Sequence, residues 1–544
     1  MNLLSTLLSN TSKRNTLVIV SILILSFILR IIGIGVGLPD TPDPRETIIS
    51  HDIINLINFS ALPGTFNWPG TAWFHLIALI GKLLDFIGIE LTESRIILLG
   101  RCKNVFLSTL TVWVTYCLGT KCYNRRVGLI AAGFLAVAML HATSESRFAL
   151  VDIPATLCAT LFLWLMARDT ELRYRTCIYL GIVMGIGLAV KYPTLFVCLS
   201  LLIFISTADI YRKFATIILF TVISFTIVCP YWLIDIFSSD WNKFFSDFSY
   251  ETTHYHRGHF GLFATGDTGW LNRYLHLLHI LKLGVGFPLA MLVGIGLLFS
   301  IGGLSLSVKR AGLRSLFNDQ RSRMVMLLIS YAIPFLLFVG SFKVTFARHL
   351  LILYPPLTIL AAAFLFTIGK RYGTVIGSLV WMYSFIYTVA FASVMLTQPT
   401  TEQVSEWVSD NIEADRSIAH APEILFDWLL PELDRDMTDF DENTEWLIII
   451  EANREVFQKY KLQPEKYQIQ DWYPLENVEI EDNLAFYDAI DRNDSSYHLY
   501  KTFNQSPNFL GFRISDDGAP FPMRALLHPT IHLFRRTDYS ELQN

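Results

Sequence analysis

Charge is what this 544-residue chain has least of. Asp, Glu, Lys and Arg make up 17% of it, against roughly 25% in an ordinary soluble protein. Cysteine is missing from residues 397–544, so no disulfide can staple that part. The seven cysteines elsewhere (Cys102, Cys117, Cys122, Cys158, Cys177, Cys198 and Cys229) read as small buried apolar residues. No HExxH or CxxC pattern occurs, which removes the commonest zinc signatures. No internal repeat is evident. No Ala-x-Ala-like site follows the first apolar block, and ten more apolar blocks do, which argues against a cleaved signal peptide. What is abundant is apolar and aromatic: 52% hydrophobic, with 40 Phe, 22 Tyr and 12 Trp and a mean hydropathy of +0.43. A disordered chain, a disulfide scaffold and an ordinary cytosolic enzyme are excluded, and a polytopic membrane protein is implied.

The apolar blocks predict eleven spans, at 16–36, 98–118, 127–141, 153–167, 176–190, 194–211, 214–232, 281–306, 324–340, 349–368 and 373–396. Blocks 53–62 and 71–88, interrupted by Pro63, Pro69 and polar residues, suit helices lying along the interface. With the N-terminus cytoplasmic, the inner segments hold 17 bases and four acids, the asymmetry expected of cytoplasmic loops. The opposite face then carries the long loops 37–97 and 233–280. It also carries residues 397–544, with 29 acids against 12 bases. The expected organisation is an all-α membrane domain, 1–396, followed by an acidic extracytoplasmic α/β domain, 397–544, in the plasma membrane. Within the latter, a helix over 402–412 with Val404, Trp407 and Val408 on one face is predicted, with strands at 446–450, 497–500 and 530–534. The basic residues follow the membrane topology, and nothing points to nucleic acid.

Polar residues gather at the outer rim. The first loop opens with Gly37-Leu38-Pro39-Asp40-Thr41-Pro42-Asp43-Pro44-Arg45-Glu46; prolines stiffen it, which suits either an interfacial turn or carboxylates held as general bases. Asp152, ahead of Pro154, reads as a helix cap or as a carboxylate facing that loop. Lys191 interrupts apolar residues 176–211 and either snorkels or lines a polar cavity. His254, His256 and His259 share no single helical face, so His256 with Arg257 suits phosphate or sugar contacts better than metal. Arg348 and His349 suit a lipid phosphate or a simple helix anchor.

In this order these pieces resemble the GT-C superfamily of membrane glycosyltransferases, in particular bacterial relatives of protein O-mannosyltransferases and lipid A aminoarabinose transferases. The matching stretches are Gly37-Leu38-Pro39 before an acidic motif, Asn67-Trp68-Pro69-Gly70, "GRCKNVFLSTLTVWVTYCLGTKCYNRRVGLIAAGFLA" with "SRFALVDIP", "GIGLAVKYPTLF", "HYHRGHFG", and "FARHLLILYPPLTILAA" before "TTEQVSEWVSDNI". The resemblance implies a polyprenyl-phosphate sugar donor and inverting transfer to an acceptor glycan, lipid or protein outside the cytoplasm. The family's Asp-Glu pair falls on Arg45-Glu46, so Arg45 stands where the family has its Asp. Asp43 or Glu46 is then the expected base, or this branch is catalytically altered. Asp152 matches the second-loop aspartate, there to orient acceptor or base or to hold a divalent cation; no other cofactor is implied. Lys191, Arg257 and Arg348, with Arg45, are the expected cations for the leaving phosphate. Two rival readings remain at this stage: a transporter or lipid flippase, and a non-catalytic scaffold.

Overall fold

The computed structural model describes residues 11–39, 41, 43–238, 242–257, 269–421, 427–438, 440–441, 444–462, 480–492, 495–516, 518–519, 521–524 and 528–536. Among these, seven helices are long and apolar enough to cross a membrane: Arg14–Ile31, Glu93–Cys122, Ile210–Val228, Phe287–Ala311, Gln320–Gly340, Ala347–Thr367 and Lys370–Val394. An eighth forms if Arg125–Ala136 and Met139–Arg147, bent by 73° at their junction, count as one span. The predicted spans 153–167 and 176–190 are the 17-residue helices Asp152–Arg168 and Tyr174–Val190.

Two predicted spans differ in build. The block 194–211 is a 3-10 helix, Tyr192–Phe204, only as far as Phe204, and its last two residues start the helix Ile210–Val228; at about 2.0 Å per residue the 13 residues of the 3-10 helix reach about 26 Å. The block 281–306 is cut at Gly286, whose φ of 84° ends the helix Trp270–Val285, and a new helix starts at Phe287 with Pro288 in its first turn. Trp270–Val285 was hidden in the sequence because it straddles the expected end of loop 233–280. The blocks 53–62 and 71–88, expected at the interface, overlap the helices Pro44–Asn58 and Thr71–Phe86, which pack on each other.

The helix Glu93–Cys122 sets the site's frame. Thr92 caps it by accepting from Arg95 N at 3.3 Å. Its 30 residues span about 45 Å, more than the ~30 Å hydrocarbon core. Its first turns pack beside the helix Pro44–Asn58, with Ile96 in the same buried cluster as Ile49 and Ile53. The main apolar core lies in the bundle interior, around Phe134, Phe162, Leu328, Tyr331, Leu351 and Tyr354.

From Thr400 onward the chain builds a small α/β unit. Its four-stranded sheet runs in the order Ile418–His420, Trp446–Ile450, Ile531–Arg536, Tyr497–Phe503, with the first pair parallel and the others antiparallel. Residues 446–450 are apolar without alternation because both sheet faces are covered. Leu447 and Ile449 pack with Val456, Phe457 and Tyr487, while Trp446 and Ile448 pack with Val404 and Val408 of the helix Thr400–Asn411. Glu445, buried at the start of the central strand, is matched by Arg416 at 3.3 Å and Arg535 at 3.1 Å.

Candidate functional site

Pro44 opens its helix, and Asp43 is the N-cap, with its Oδ1 accepting from Arg45 N at 3.1 Å. A cap carboxylate gains from the unsatisfied N–H groups there. Arg45 folds back on the same side chain, donating from Nε at 2.8 Å and from Nη2 at 2.5 Å. Burial alone would raise the Asp43 pKa, but the charge and hydrogen bonds of Arg45, helped by the charge of Arg348, hold it below the usual carboxylate value.

Glu46 lies one helical turn further in and is fully buried. Arg101, equally buried on the long helix, grips both its oxygens, with Nε at 3.0 Å and Nη2 at 2.6 Å. Ala149 N donates at 2.5 Å and the Thr41 hydroxyl donates as well. These four donors occupy the roughly four lone-pair positions of a carboxylate. Arg101 also donates to the carbonyls of Ile34 at 2.9 Å and Val36 at 2.8 Å. It thereby ties the end of the first helix, the first loop and residue 149 together. Sequence reasoning missed Arg101; the signal was a lone arginine inside an apolar block, which at membrane depth requires a partner.

Asp152 begins the helix Asp152–Arg168 but makes no capping hydrogen bond, so the cap reading fails. Its Oδ1 instead meets Lys191 Nζ at 2.5 Å. Lys191 is held in an extended conformation (φ −158°) between the helix Tyr174–Val190 and the 3-10 helix that follows. It points inward rather than snorkelling, with 14% of its side chain exposed.

Both residues line a cavity of about 320 Å³. Its lining joins apolar side chains, Leu195, Phe196, Phe335, Phe338, Phe342 and Ile352, to the polar Asp152, Lys191, Glu251, Arg348 and His349. Arg348 lies 4.0 Å from the centre of the Phe346 ring, and among the described residues no carboxylate is within ion-pair distance of it. Leu195 of this lining is 53% exposed.

The sequence candidates Asp43, Arg45, Asp152, Lys191 and Arg348 therefore share one electrostatic neighbourhood. Burial would lower the Arg45 pKa, but the charges of Asp43, Glu145 and Asp152 raise it. Glu46 stands behind them in the scaffold. His256 is exposed, its ring 5.2 Å from that of Phe342 in the cavity lining. The side chain of Arg257 lies outside the described residues, as do Asp40, Pro42 and His259. Two acids of the cluster, Glu145 and Glu251, were not singled out by spacing. Asp152 and Asp43 are each matched by a cation, and no group of three His, Cys, Asp or Glu side chains converges among the described residues. Among the described residues, this donor set does not fit a divalent cation.

Residues 88–234 match the dolichyl-phosphate-mannose-protein mannosyltransferase family. No curated protein matches the chain by sequence. Among solved structures, ArnT from Cupriavidus metallidurans, bound to undecaprenyl phosphate, superposes with a TM-score of 0.50 at 12% identity, over 84% of this chain and 89% of that one. The archaeal oligosaccharyltransferase AglB from Archaeoglobus fulgidus, in complex with an inhibitory peptide and a dolichol-phosphate, does so with a TM-score of 0.50 at 11% identity, over 93% of this chain and 74% of that one. The chain thus has the GT-C fold that its motifs resemble, and it is a multi-pass membrane protein.

Proposed function

We propose that the protein is a membrane glycosyltransferase that moves a hexosyl or pentosyl group from a polyprenyl-phosphate donor to an acceptor hydroxyl on the non-cytoplasmic side of the plasma membrane. The N-terminus is cytoplasmic and residues 397–544 lie outside. The observation that carries this reading is the cavity in which an aromatic lining meets Lys191 and Arg348. The aromatic lining suits a polyprenyl chain, and the two cations suit its phosphate.

In this reading the acceptor oxygen attacks the anomeric carbon from the face opposite the phosphate. The bond between that carbon and the phosphate oxygen breaks, the configuration inverts, and the polyprenyl phosphate leaves with the electron pair. Lys191 and Arg348 stabilise its growing charge. Asp43 takes the proton of the acceptor hydroxyl. It is preferred to Glu46 because all its donors come from one residue, Arg45, whereas Glu46 is filled from three elements. Asp152 keeps Lys191 aimed into the cavity. His256, whose ring lies beside that of Phe342, serves as a contact for sugar or acceptor.

The test is reconstitution in liposomes with polyprenyl-phosphate sugars, comparing Asp43→Asn, Asp152→Asn and Lys191→Met with the unaltered protein. Loss of covalent product without loss of the folded protein is expected for each. Full turnover in all three would remove this chemistry, and substrate counterflow without a covalent product would point to a transporter.

A further inference from the structure

Glu251 is the charge in the cavity that the proposed reaction leaves unused. It projects from the helix Lys243–Arg257, with 13% of its side chain exposed, among the lining residues Asp152, Lys191 and Arg348. Charged and titratable groups face it from every element packed there. Asp152 and Lys191 come from the two helix ends, Tyr192 from the following 3-10 helix, and Arg348 and His349 from the 3-10 helix Ala347–Leu353. Tyr250, His254 and Tyr255 come from its own helix, and His254 Nδ1 lies 3.6 Å from its carboxylate. Burial, assisted by the charge of Arg348, lowers the His254 pKa to about 4, so that imidazole is neutral at physiological pH. The charge of the cavity then depends on Glu251. Ionised, it makes two acids against two bases; protonated, it leaves one net positive charge.

We propose that Glu251 matches the cavity to the charge of the donor phosphate: protonated, it admits a phosphodiester monoanion between Lys191 and Arg348, and ionised, it repels phosphate. This rests on the reading of the cavity as a donor site. Burial pushes the Glu251 pKa up to about 8, against the pull of Lys191 and Arg348, so the admitting form predominates at neutral pH. An anion that prefers the protonated form takes up a proton as it binds. Its affinity is therefore full below about pH 8 and falls above it, by at most about tenfold per pH unit.

The experiment measures binding of farnesyl methyl phosphate, whose single charge is constant between about pH 6 and 9, to the full-length protein in nanodiscs. The unaltered protein should lose affinity above about pH 8, whereas Glu251→Gln should keep its affinity above that pH. Glu251→Asp should keep the fall but move its midpoint, because the shorter carboxylate retracts from Lys191 and Arg348. Should the Gln variant fail to fold, an unmoved midpoint in the Asp variant overturns the proposal. Equal pH slopes in the unaltered and Gln proteins, with Lys191→Met abolishing binding, overturn it while the donor site stands. No binding at all, or binding indifferent to Lys191→Met, removes both.

Discussion

Nζ of Lys191 sits 2.5 Å from Oδ1 of Asp152, and the two side chains are 14% and 6% exposed. A pair this buried has little water to stand in for a lost partner. Removing one member strands the other charge, which costs about 3 kcal/mol or more, whereas replacing both is far milder. Lys191→Met and Asp152→Asn should each lower the unfolding midpoint in detergent, and the double variant should recover most of that stability while staying inactive. Additive losses in the double variant would mean that the pair is not coupled.

Glu46 and Asp43 should part company when mutated. Glu46 is the buried partner of Arg101, and Arg101 also holds two backbone carbonyls. Arg101→Met should therefore destabilise by about 3–5 kcal/mol, with Glu46→Gln causing a similar defect. Asp43→Asn keeps an N-capping side chain but leaves the Arg45 charge unpaired, so it should lose some stability while lowering turnover by roughly 10²–10⁴-fold. Denaturant midpoints measured beside turnover would separate the two. A folded, inactive Glu46→Gln protein beside an active Asp43→Asn protein would reverse the roles.

Arg45 should set the acid limb of activity. Burial favours neutral Asp43, and Arg45 reverses that preference. A carboxylate with a depressed pKa contributes stability at neutral pH, and loses it as pH falls through its folded value, below the ordinary ~3.9. Arg45→Met removes the reversing charge, so the limb should move upward by about 1–3 pH units. The pH dependence of kcat/KM reads this directly. An unmoved limb would mean that Asp43 is not the titrating base.

Much of this was written in the chain, and what escaped has physical reasons. Hydropathy marked every apolar helix of the bundle except Trp270–Val285, whose polar Asn272, Arg273 and His276 dilute its signal and whose junction depends on one positive φ at Gly286. Period alone could not show that Tyr192–Phe204 is a 3-10 helix. Asp43, Arg45, Asp152, Lys191 and Arg348 were legible as charges next to spans. Spacing could not tell that Asp152 faces a lysine 39 residues away instead of its own helix end. Nor could it separate Asp43 from Glu46, because Arg101 arrives from a different helix. Glu251 was overlooked among the histidines beside it, whose spacing drew attention to metal chemistry.

The stretch Gly181-Ile182-Val183-Met184-Gly185 joins the cavity to helix packing. The two glycines let the helix Tyr174–Val190 meet Ile210–Val228 closely, as small residues four apart do between membrane helices. A Cβ at Gly181 would lie 2.6 Å from the Ile217 carbonyl oxygen, and one at Gly185 would collide with Ser224 Oγ and the Thr221 carbonyl oxygen. Neither backbone oxygen can move without breaking its own helix. Overpacking of this kind costs about 1–3 kcal/mol, so Gly185→Ala should lower the unfolding midpoint, with Gly185→Leu worse. Lys191 follows directly on Val190 at the end of this helix, so prying the pair apart also displaces Lys191 from Asp152. The KM for donor should therefore rise in the Gly185 variants, even where the protein stays folded at the assay temperature. Gly294→Ala is the control: it lies in a helix with nothing within 4 Å of the added methyl, and should leave both midpoint and KM unharmed. Equal behaviour of the Gly185 and Gly294 variants would show that this close approach does not position Lys191.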